Sequence, residues 1–342
     1  MNALTSDAGD RGGATIYQVA QHAGVSIATV SRVLRGTAPV SEAARARVLT
    51  AVDHLGYRPS RLGRSLAEGR HAAYGIVFPD LSGPYFAELV LGYEEVAAEL
   101  GCSVLILATH GRAAVRDKVL DLASRVDGMV VLARTVEDDV LTDLNGKGMP
   151  LVTVARPAVG GADGVRTDNA ESSRRLTEHL AGDHGYRSFA FLGDAQQSPD
   201  TAQRWSAFRE GLRAAGVAAP RQPVRCSFEE ESGRLAALQA LRRTRRPRAL
   251  VCANDEIALG AVRAAEELGL RVPEDVAVTG WDDVMAARHS RPGLTTVRQP
   301  VRRLGAWAAR RLHARIDGDT SPAEHVVLPT ELVLRRSCGD HP

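Results

Sequence analysis

The sequence predicts an all-α head of helix-turn-helix type followed by an α/β body of two lobes, built from parallel sheets flanked by helices. Two observations predict it. Residues 15–56 alternate side-chain caps, short amphipathic stretches and glycine stops. Beyond Arg70, short apolar runs alternate with amphipathic segments, the rhythm of parallel strands joined by crossover helices, and the series occurs twice. A chain of 342 residues is long enough for a small head and a two-lobed body with an ample core.

The first helix starts at Thr15, with Gln18 three residues on to complete a capping box, and stops at Gly24. After a tight turn Ser26 caps the second helix, with Val25 and Val30 spaced as a hydrophobic staple. Val30, Val33 and Leu34 share its buried face, so Ile27, Ala28, Ser31 and Arg32 point outward. An apolar group, a small one, a hydroxyl and a guanidinium suit the methyls, phosphates and guanine edges of a DNA major groove. A small helical bundle with an ordinary exposed face is the alternative at this stage. Ser41 caps a third helix, with Val48, Val52 and Leu55 on one stripe and a stop at Gly56. Tyr57 to Leu66 then form a linker in which Pro59 forces an extended approach and Ser60 caps one or two further turns.

Charge position favours a polyanion partner for the head. Residues 1–70 hold nine arginines against five acidic residues, whereas residues 71–342 hold 34 basic and 36 acidic ones. The whole-chain charge of +2 hides this asymmetry.

In the body, strands are expected at 73–78, 103–108, 129–132 and 151–154, with helices at 86–100 and 113–123. After the glycines at 160, 161 and 164 a second series predicts strands at 189–192, 224–226, 249–252 and 276–280. Its helices are expected at 172–181, 202–215, 233–242 and 256–268. The tail adds a helix at 301–316 and strands at 326–328 and 332–334.

The motifs Val19-Ala20, Ala23-Gly24-Val25-Ser26, Thr29-Val30-Ser31-Arg32-Val33, Val40-Ser41 and Leu55-Gly56-Tyr57, with Pro59 and Leu66, resemble those of the lactose-repressor/galactose-repressor (LacI/GalR) family of bacterial transcription regulators. The resemblance covers nearly the whole chain. It implies a body like that of periplasmic sugar-binding proteins, whose ligand lies in a cleft that closes by hinge motion. It also implies that the tail is shared between the lobes, with chain crossings near 156–164, 286–292 and 318–324. The expected partition is a disordered tail at 1–13, a head at 14–58, a hinge at 59–70 and a body at 71–336. Lobe 1 comprises about 71–160 and 290–319, and lobe 2 about 161–289 and 320–336.

By the same resemblance Ile27, Ala28 and Arg32 occupy base-reading positions, Thr29 and Ser31 meet phosphates or bases, and Leu66 wedges into the minor groove. Thr15, Tyr17, Ser26, Ser60, Arg61 and Arg64 complete the expected DNA-binding set. Paired wedges imply a homodimer on a pseudo-palindromic operator. Gly63 stands where the family usually carries alanine in the hinge helix; glycine there costs about 0.5–1 kcal/mol per chain, or roughly a five- to thirtyfold loss of affinity in a dimer. The C-terminus lacks apolar heptads, so the tetramerising helix of the lactose repressor is not expected.

For the effector site the resemblance points to Asp80, Tyr85 and Phe86 after the first strand, then Arg204, Phe228, Asn254, Asp282 and Gln299. A guanidinium, an amide, carboxylates and aromatic faces suit a small polar molecule such as a sugar, polyol or nucleoside. Tyr85 and Phe228 are equally readable as core, Arg204 as a surface ion pair, and Asp255 and Asp283 as caps or surface charges. Ala155 replaces an aspartate that several sugar-sensing relatives place at the cleft, so the particular sugar is left open.

Other classes fit less well. The chain has no GxSxG elbow or GxGxxG fingerprint, and Asn145-Gly146-Lys147-Gly148 lacks the hydroxyl of a phosphate loop, so no catalytic residues are expected. Cysteines 102, 226, 252 and 338 read as buried thiols. His179 and His184, five apart, do not match a helical metal pair, His110 stands alone, and neither metal nor cofactor is expected. A periplasmic-type binding protein is the main alternative, but the first residues do not read as a signal peptide, so a cytoplasmic location is expected. A corepressor-dependent or activating regulator is the other alternative.

Overall fold

The computed structural model describes residues 14–36, 39–57, 70–80, 83–109, 112–196 and 198–340. Contacts divide the chain into two units, Met1–His71 and Ala72–Pro342. The expected tail at 1–13, the hinge positions Ser60, Arg61, Gly63, Arg64 and Leu66, and His110 lie outside the described residues.

The head contains α1 (Ile16–Ala23), α2 (Ile27–Arg35) and α3 (Glu42–Leu55). Each cap falls where the sequence places it. Gln18 N donates to Thr15 Oγ1 while Thr15 N donates to Gln18 Oε1 at 2.7 Å, and Ser26 and Ser41 accept from Thr29 N and Ala44 N. Gly24, Gly36 and Gly56 close the helices in the left-handed conformation. Val19, Ala20, Ala23, Val30, Val48, Ala51 and Tyr57 form the small core, with Val33, Leu34, Val52 and Leu55 packed against it.

In the body, the first lobe is built on a six-stranded parallel sheet. Its strands are β1 (Ala73–Phe78), β2 (Ser103–Ala108), β3 (Gly128–Leu132), β4 (Leu151–Val154), β5 (Asp163–Thr167) and β10 (His325–Leu328), in the order β10-β5-β4-β3-β1-β2. Alternation sends Tyr74, Ile76 and Phe78 to one face, under α4 (Pro84–Glu99) and α12 (Val301–Ile316). Ala73, Val77, Met129 and Val131 face α5 (Val115–Ala123) and α6 (Asp138–Gly146). α4 and α12 touch backbone to backbone: a Cβ on Gly305 would lie 2.2 Å from Leu89 O, and one on Gly92 2.1 Å from Arg302 O.

The second lobe holds β6 (Phe189–Leu192), β7 (Ala249–Cys252) and β8 (Ala277–Thr279), parallel and in that order, and the antiparallel pair β9 (Thr296–Arg298) and β11 (Glu331–Val333). Around them lie α7 (Asn169–Glu178), a π-turn (His179–Asp183), α8 (Pro199–Ala214), α9 (Glu230–Leu241), α10 (Asp255–Glu267) and the short α11 (Met285–His289). This lobe repeats the close helix crossing, since a Cβ on Gly260 would stand 2.0 Å from Glu230 O.

Several expectations change. The strand expected at 224–226 reduces to a single bridge between Leu192 and Val224. Segment 163–167, expected as the start of lobe 2, is β5 of the first sheet, and 325–328 is its neighbour β10. A buried carboxylate, Asp163, obscures the strand. Its burial alone would raise the pKa, but hydrogen bonds from Arg315 and Glu324 N and the ion pair with Arg311 hold it below the ordinary value. Thr295 bridges Thr279 and β9 pairs with β11, so residues 295–298 belong with the second lobe. The crossings therefore fall near 168, 299–300 and 329–330 instead of 156–164, 286–292 and 318–324. Cys252 and Cys338 are buried as expected, whereas Cys102 and Cys226 are half-buried. Among the described residues no helix is long and apolar enough to cross a membrane.

Candidate DNA-reading face and ligand cleft

On the head, residues left out of the core lie at the start of α1 and along α2. Ile27 is 40% exposed and Tyr17 69% exposed, beside exposed Thr15, Ser26, Ala28 and Arg32. Thr29 and Ser31 are half-buried, and the Thr29 hydroxyl lies 2.9 Å from that of Ser26. An apolar side chain this exposed at the first turn of a capped helix that also exposes a guanidinium suits the base edges of a groove.

In the body, the three crossings are tied together by buried and half-buried polar groups. The Thr167 hydroxyl donates to Gln299 Oε1 at 2.6 Å, and the Thr330 hydroxyl donates to Asp168 O at 2.8 Å and meets Ser172 Oγ at 2.7 Å. Gln299 Nε2 in turn donates to Asp282 Oδ1 at 2.5 Å. One glutamine thus links the crossing strands to the loop after β8.

That loop is strained. Asp282 and Asp283, neither of them glycine, adopt φ of 114° and 57°. Asp283 anchors it: burial would raise its carboxyl, but Arg335 and Arg298 bond it and hold it below the ordinary range. Asp255 is also fully buried, accepting from Thr296 Oγ1 at 2.6 Å and Val284 N at 2.9 Å; burial nevertheless pushes its pKa up to about 7. Neither is the surface charge that the sequence allowed. Both are internal supports for the Asp282 turn.

Arg204 is the centre of the site and only 5% exposed, not a surface ion pair. Its Nε donates to Asn169 Oδ1 at 2.8 Å and its Nη1 to Ala253 O at 2.7 Å, while the guanidinium lies 4.4 Å from the centre of the Trp281 ring. Asp200, one turn earlier on α8, approaches it at 3.9 Å. Burial raises the Asp200 carboxyl, with Arg204 opposing, and burial raises Asp282 well above the usual range. A cation held by two neutral oxygens, with two carboxyls nearby, can exchange partners with hydroxyl or carboxylate oxygens of a bound molecule at little cost.

Tyr85 and Phe86 reach this place from the first lobe. Both are half-buried; Phe86 packs edge-on against Phe78 and Tyr85. Burial raises the Tyr85 hydroxyl pKa, with the nearby Asp200 and Asp282 adding and Arg204 opposing, which sets the phenol among second-lobe charges. Asp80 follows β1 and is half-buried. A Cβ on Gly83 would stand 2.8 Å from Glu256 Oε1, so the lobes touch at the edge of the cleft. Asn254 caps α10 through Ile257 N and donates to Phe228 O at 3.1 Å. The Phe228 ring is 38% exposed and is not core.

The structure thus joins Arg204 to Asp200, Asp282 to Gln299, and Asn254 to Phe228. It adds residues that sequence reasoning missed, namely Thr167, Asn169, Asp200, Thr201 and Trp281. Trp281 Nε1 and Thr201 Oγ1 are buried and, among the described residues, have no hydrogen-bond partner. The signal for Trp281 was its place beside Asp282; Asn169 and Thr167 carried none. A cavity of about 300 Å³ adjoins the cluster between the lobes, lined by Arg156 and Arg166 on one side and Pro199, Asp200 and Gln203 on the other.

Comparison with known proteins agrees with both parts. Residues 15–60 match the family model of bacterial regulatory proteins of the lacI family, and residues 177–338 that of a periplasmic binding protein-like domain. The HTH-type transcriptional repressor PurR of Proteus mirabilis (strain HI4320) is 34% identical over 337 residues, 96% of this chain and 98% of the relative. Its namesake in Yersinia pestis (strain Pestoides F) is equally similar, 34% over the same lengths. Among solved structures, the lac repressor dimer bound to operator and the anti-inducer ONPF is 28% identical with a TM-score of 0.85, covering 96% of this chain and all of that one. A complex of the transcriptional regulator CelR with cellobiose is 32% identical with a TM-score of 0.72, covering 95% and 99%.

Proposed function

Because the chain belongs to the lacI family of bacterial regulatory proteins, and is a DNA-binding regulator and not an enzyme, we propose that it is a repressor whose affinity for an operator is set by a small polar effector between its lobes. It acts in the cytoplasm as a homodimer, each head reading one half-site of a pseudo-palindrome. Ile27, Ala28 and Arg32 meet base edges; Thr15, Tyr17, Ser26, Thr29 and Ser31 meet the backbone or flanking bases; Ser60, Arg61, Arg64 and Leu66 belong to the hinge contact.

One observation carries the effector assignment: a buried arginine whose oxygen partners are neutral, resting on Trp281 and flanked by carboxyls that burial has raised. Such a site takes a molecule with several hydroxyls and an apolar face, of the sugar, polyol or nucleoside class. Trp281 Nε1 and Thr201 Oγ1 offer it unspent hydrogen bonds. The cellobiose complex of one solved relative supports the same class. Effector then couples to operator by differential affinity for two lobe arrangements, whose moving part is the Thr167–Gln299–Asp282 chain.

The test is a thermal-shift screen of sugars, polyols and nucleosides on the full chain, followed by operator gel shifts with each hit. A ligand at 100 times its dissociation constant stabilises by about 2.7 kcal/mol. A hit that moves both melting and operator affinity, and does neither in Arg204→Ala, supports the reading; a hit that stabilises Arg204→Ala equally refutes the site.

A further inference from the structure

At the opposite end of α7 from Asn169, the end of that helix and the C-terminus build a second polar centre. The chain leaves α7 as the π-turn His179–Asp183, closed by a hydrogen bond from His184 N to His179 O at 3.2 Å. On a helix of 3.6 residues per turn, side chains five apart diverge by about 140°. The wider π-turn sets residue i+5 over residue i, and single turns of this kind are frequent at functional sites. The spacing that excludes a metal pair on a regular helix therefore creates one here.

His184 Nε2 stands 3.1 Å from His179 Nε2, and Cys338 Sγ lies 3.8 Å from the same nitrogen. All three ligand atoms fall within 4.8 Å of one another. A tetrahedral zinc, with Zn–N about 2.0–2.1 Å and Zn–S about 2.3 Å, holds its nitrogens about 3.3 Å apart and nitrogen from sulfur about 3.6 Å apart. The separations at His179 Nε2 differ from these by about 0.2 Å, and the third, between His184 and Cys338, is no more than 4.8 Å. The other ring nitrogen of His179 faces Asp183 Oδ2 at 2.8 Å, the carboxylate–histidine arrangement that fixes a metal-binding imidazole.

We propose that His179, His184 and Cys338 form a three-ligand site for zinc, with a fourth position open to water. Two imidazoles and a sulfur are a borderline-soft set that favours zinc over the oxygen-seeking magnesium and calcium. The metal clamps the C-terminal turn Arg336–Cys338 onto the end of α7. That turn already bonds the sheet, since Ser337 Oγ donates to Val278 O at 2.6 Å and accepts from Thr295 N at 2.8 Å. All these groups lie in the second lobe, so the clamp stabilises that lobe and leaves the crossings untouched.

The experiment loads the full chain with zinc or cobalt(II) alone, removes excess, and measures bound metal, the cobalt spectrum and melting. The expected result is one metal per chain, tetrahedral d–d bands with a sulfur-to-cobalt charge-transfer band, and a zinc-dependent rise in melting temperature. Cys338→Ser, shown folded by circular dichroism, loses the charge-transfer band and binds at least about tenfold more weakly. His184→Gln serves as the second variant should Cys338→Ser not fold, and it too binds weakly. A chain that retains no metal, a cobalt complex without the sulfur band, or a folded variant that binds as tightly as the parent overturns the proposal.

Discussion

The Thr167 hydroxyl and the Gln299 side-chain oxygen, 132 residues apart in sequence, share a buried hydrogen bond of 2.6 Å that joins two of the three crossings between the lobes. Because Gln299 also holds Asp282, any molecule that moves Asp282 pulls on the crossing strands. Gln299→Ala leaves the buried Thr167 hydroxyl and the Asp282 carboxyl each short of one partner, at about 1–3 kcal/mol per group. We expect weaker effector binding and a smaller effector-induced change in operator affinity, read by calorimetry and gel shift. Thr167→Val, which keeps the shape and removes the donor, reproduces the smaller change; normal coupling in both variants contradicts this role.

Arg204→Ala removes the cation at the centre of the cleft. The expected outcome is loss of effector response with operator binding retained in fluorescence anisotropy. Arg204→Lys does not restore it, because a single ammonium cannot span Asn169 Oδ1 and Ala253 O as the guanidinium does.

Asp255 makes the body sensitive to pH. Its carboxyl titrates near 7 when folded because burial disfavours the charge, against about 3.9 in the unfolded chain. The folded state therefore holds the extra proton between about pH 4 and 7, and stability falls as pH rises through that window. Of order 4 kcal/mol is the upper limit of the effect. Asp255→Asn should lose less melting temperature between pH 5 and pH 8 than the parent; equal slopes would refute it. Asp163 and Asp283, held below the ordinary range by arginines, act in the opposite direction and only at more acid pH.

Gly305 lets α12 lie against α4. A methyl there would meet Leu89 O at 2.2 Å, a backbone atom that cannot swing away. Gly305→Ala should destabilise by about 1–3 kcal/mol in denaturant titration despite the gain in helix propensity. Gly146→Ala, in α6, where a methyl meets nothing within 4 Å, is the control.

Legibility in the sequence follows the kind of force involved. Caps and apolar periods are local, so Thr15, Ser26, Ser41 and the runs from β1 to β4 were readable directly. β5 was not, because Asp163 and Arg166 break its apolar pattern and the burial of Asp163 depends on arginines about 150 residues away. β9 is only three residues long and takes its partners from the tail. In the cleft, Arg204, Asn254, Asp282 and Gln299 came from motif resemblance; in the structure Gln299 bonds Asp282, and Arg204 bonds the carbonyl of Ala253, the residue before Asn254. Asn169 and Thr167 became visible only through their bonds to Arg204 and Gln299. The π-turn that gathers His179 and His184 left no local signature.

If α2 reads DNA in a sequence-specific manner, in vitro selection from a pool of random duplexes, using the full chain with and without a small-metabolite extract, enriches one pseudo-palindrome. Arg32→Ala binds that sequence about 1–3 kcal/mol more weakly while random DNA is bound equally by both. No enriched sequence under either condition, or an equal loss by Arg32→Ala on random DNA, rules out sequence-specific reading by α2.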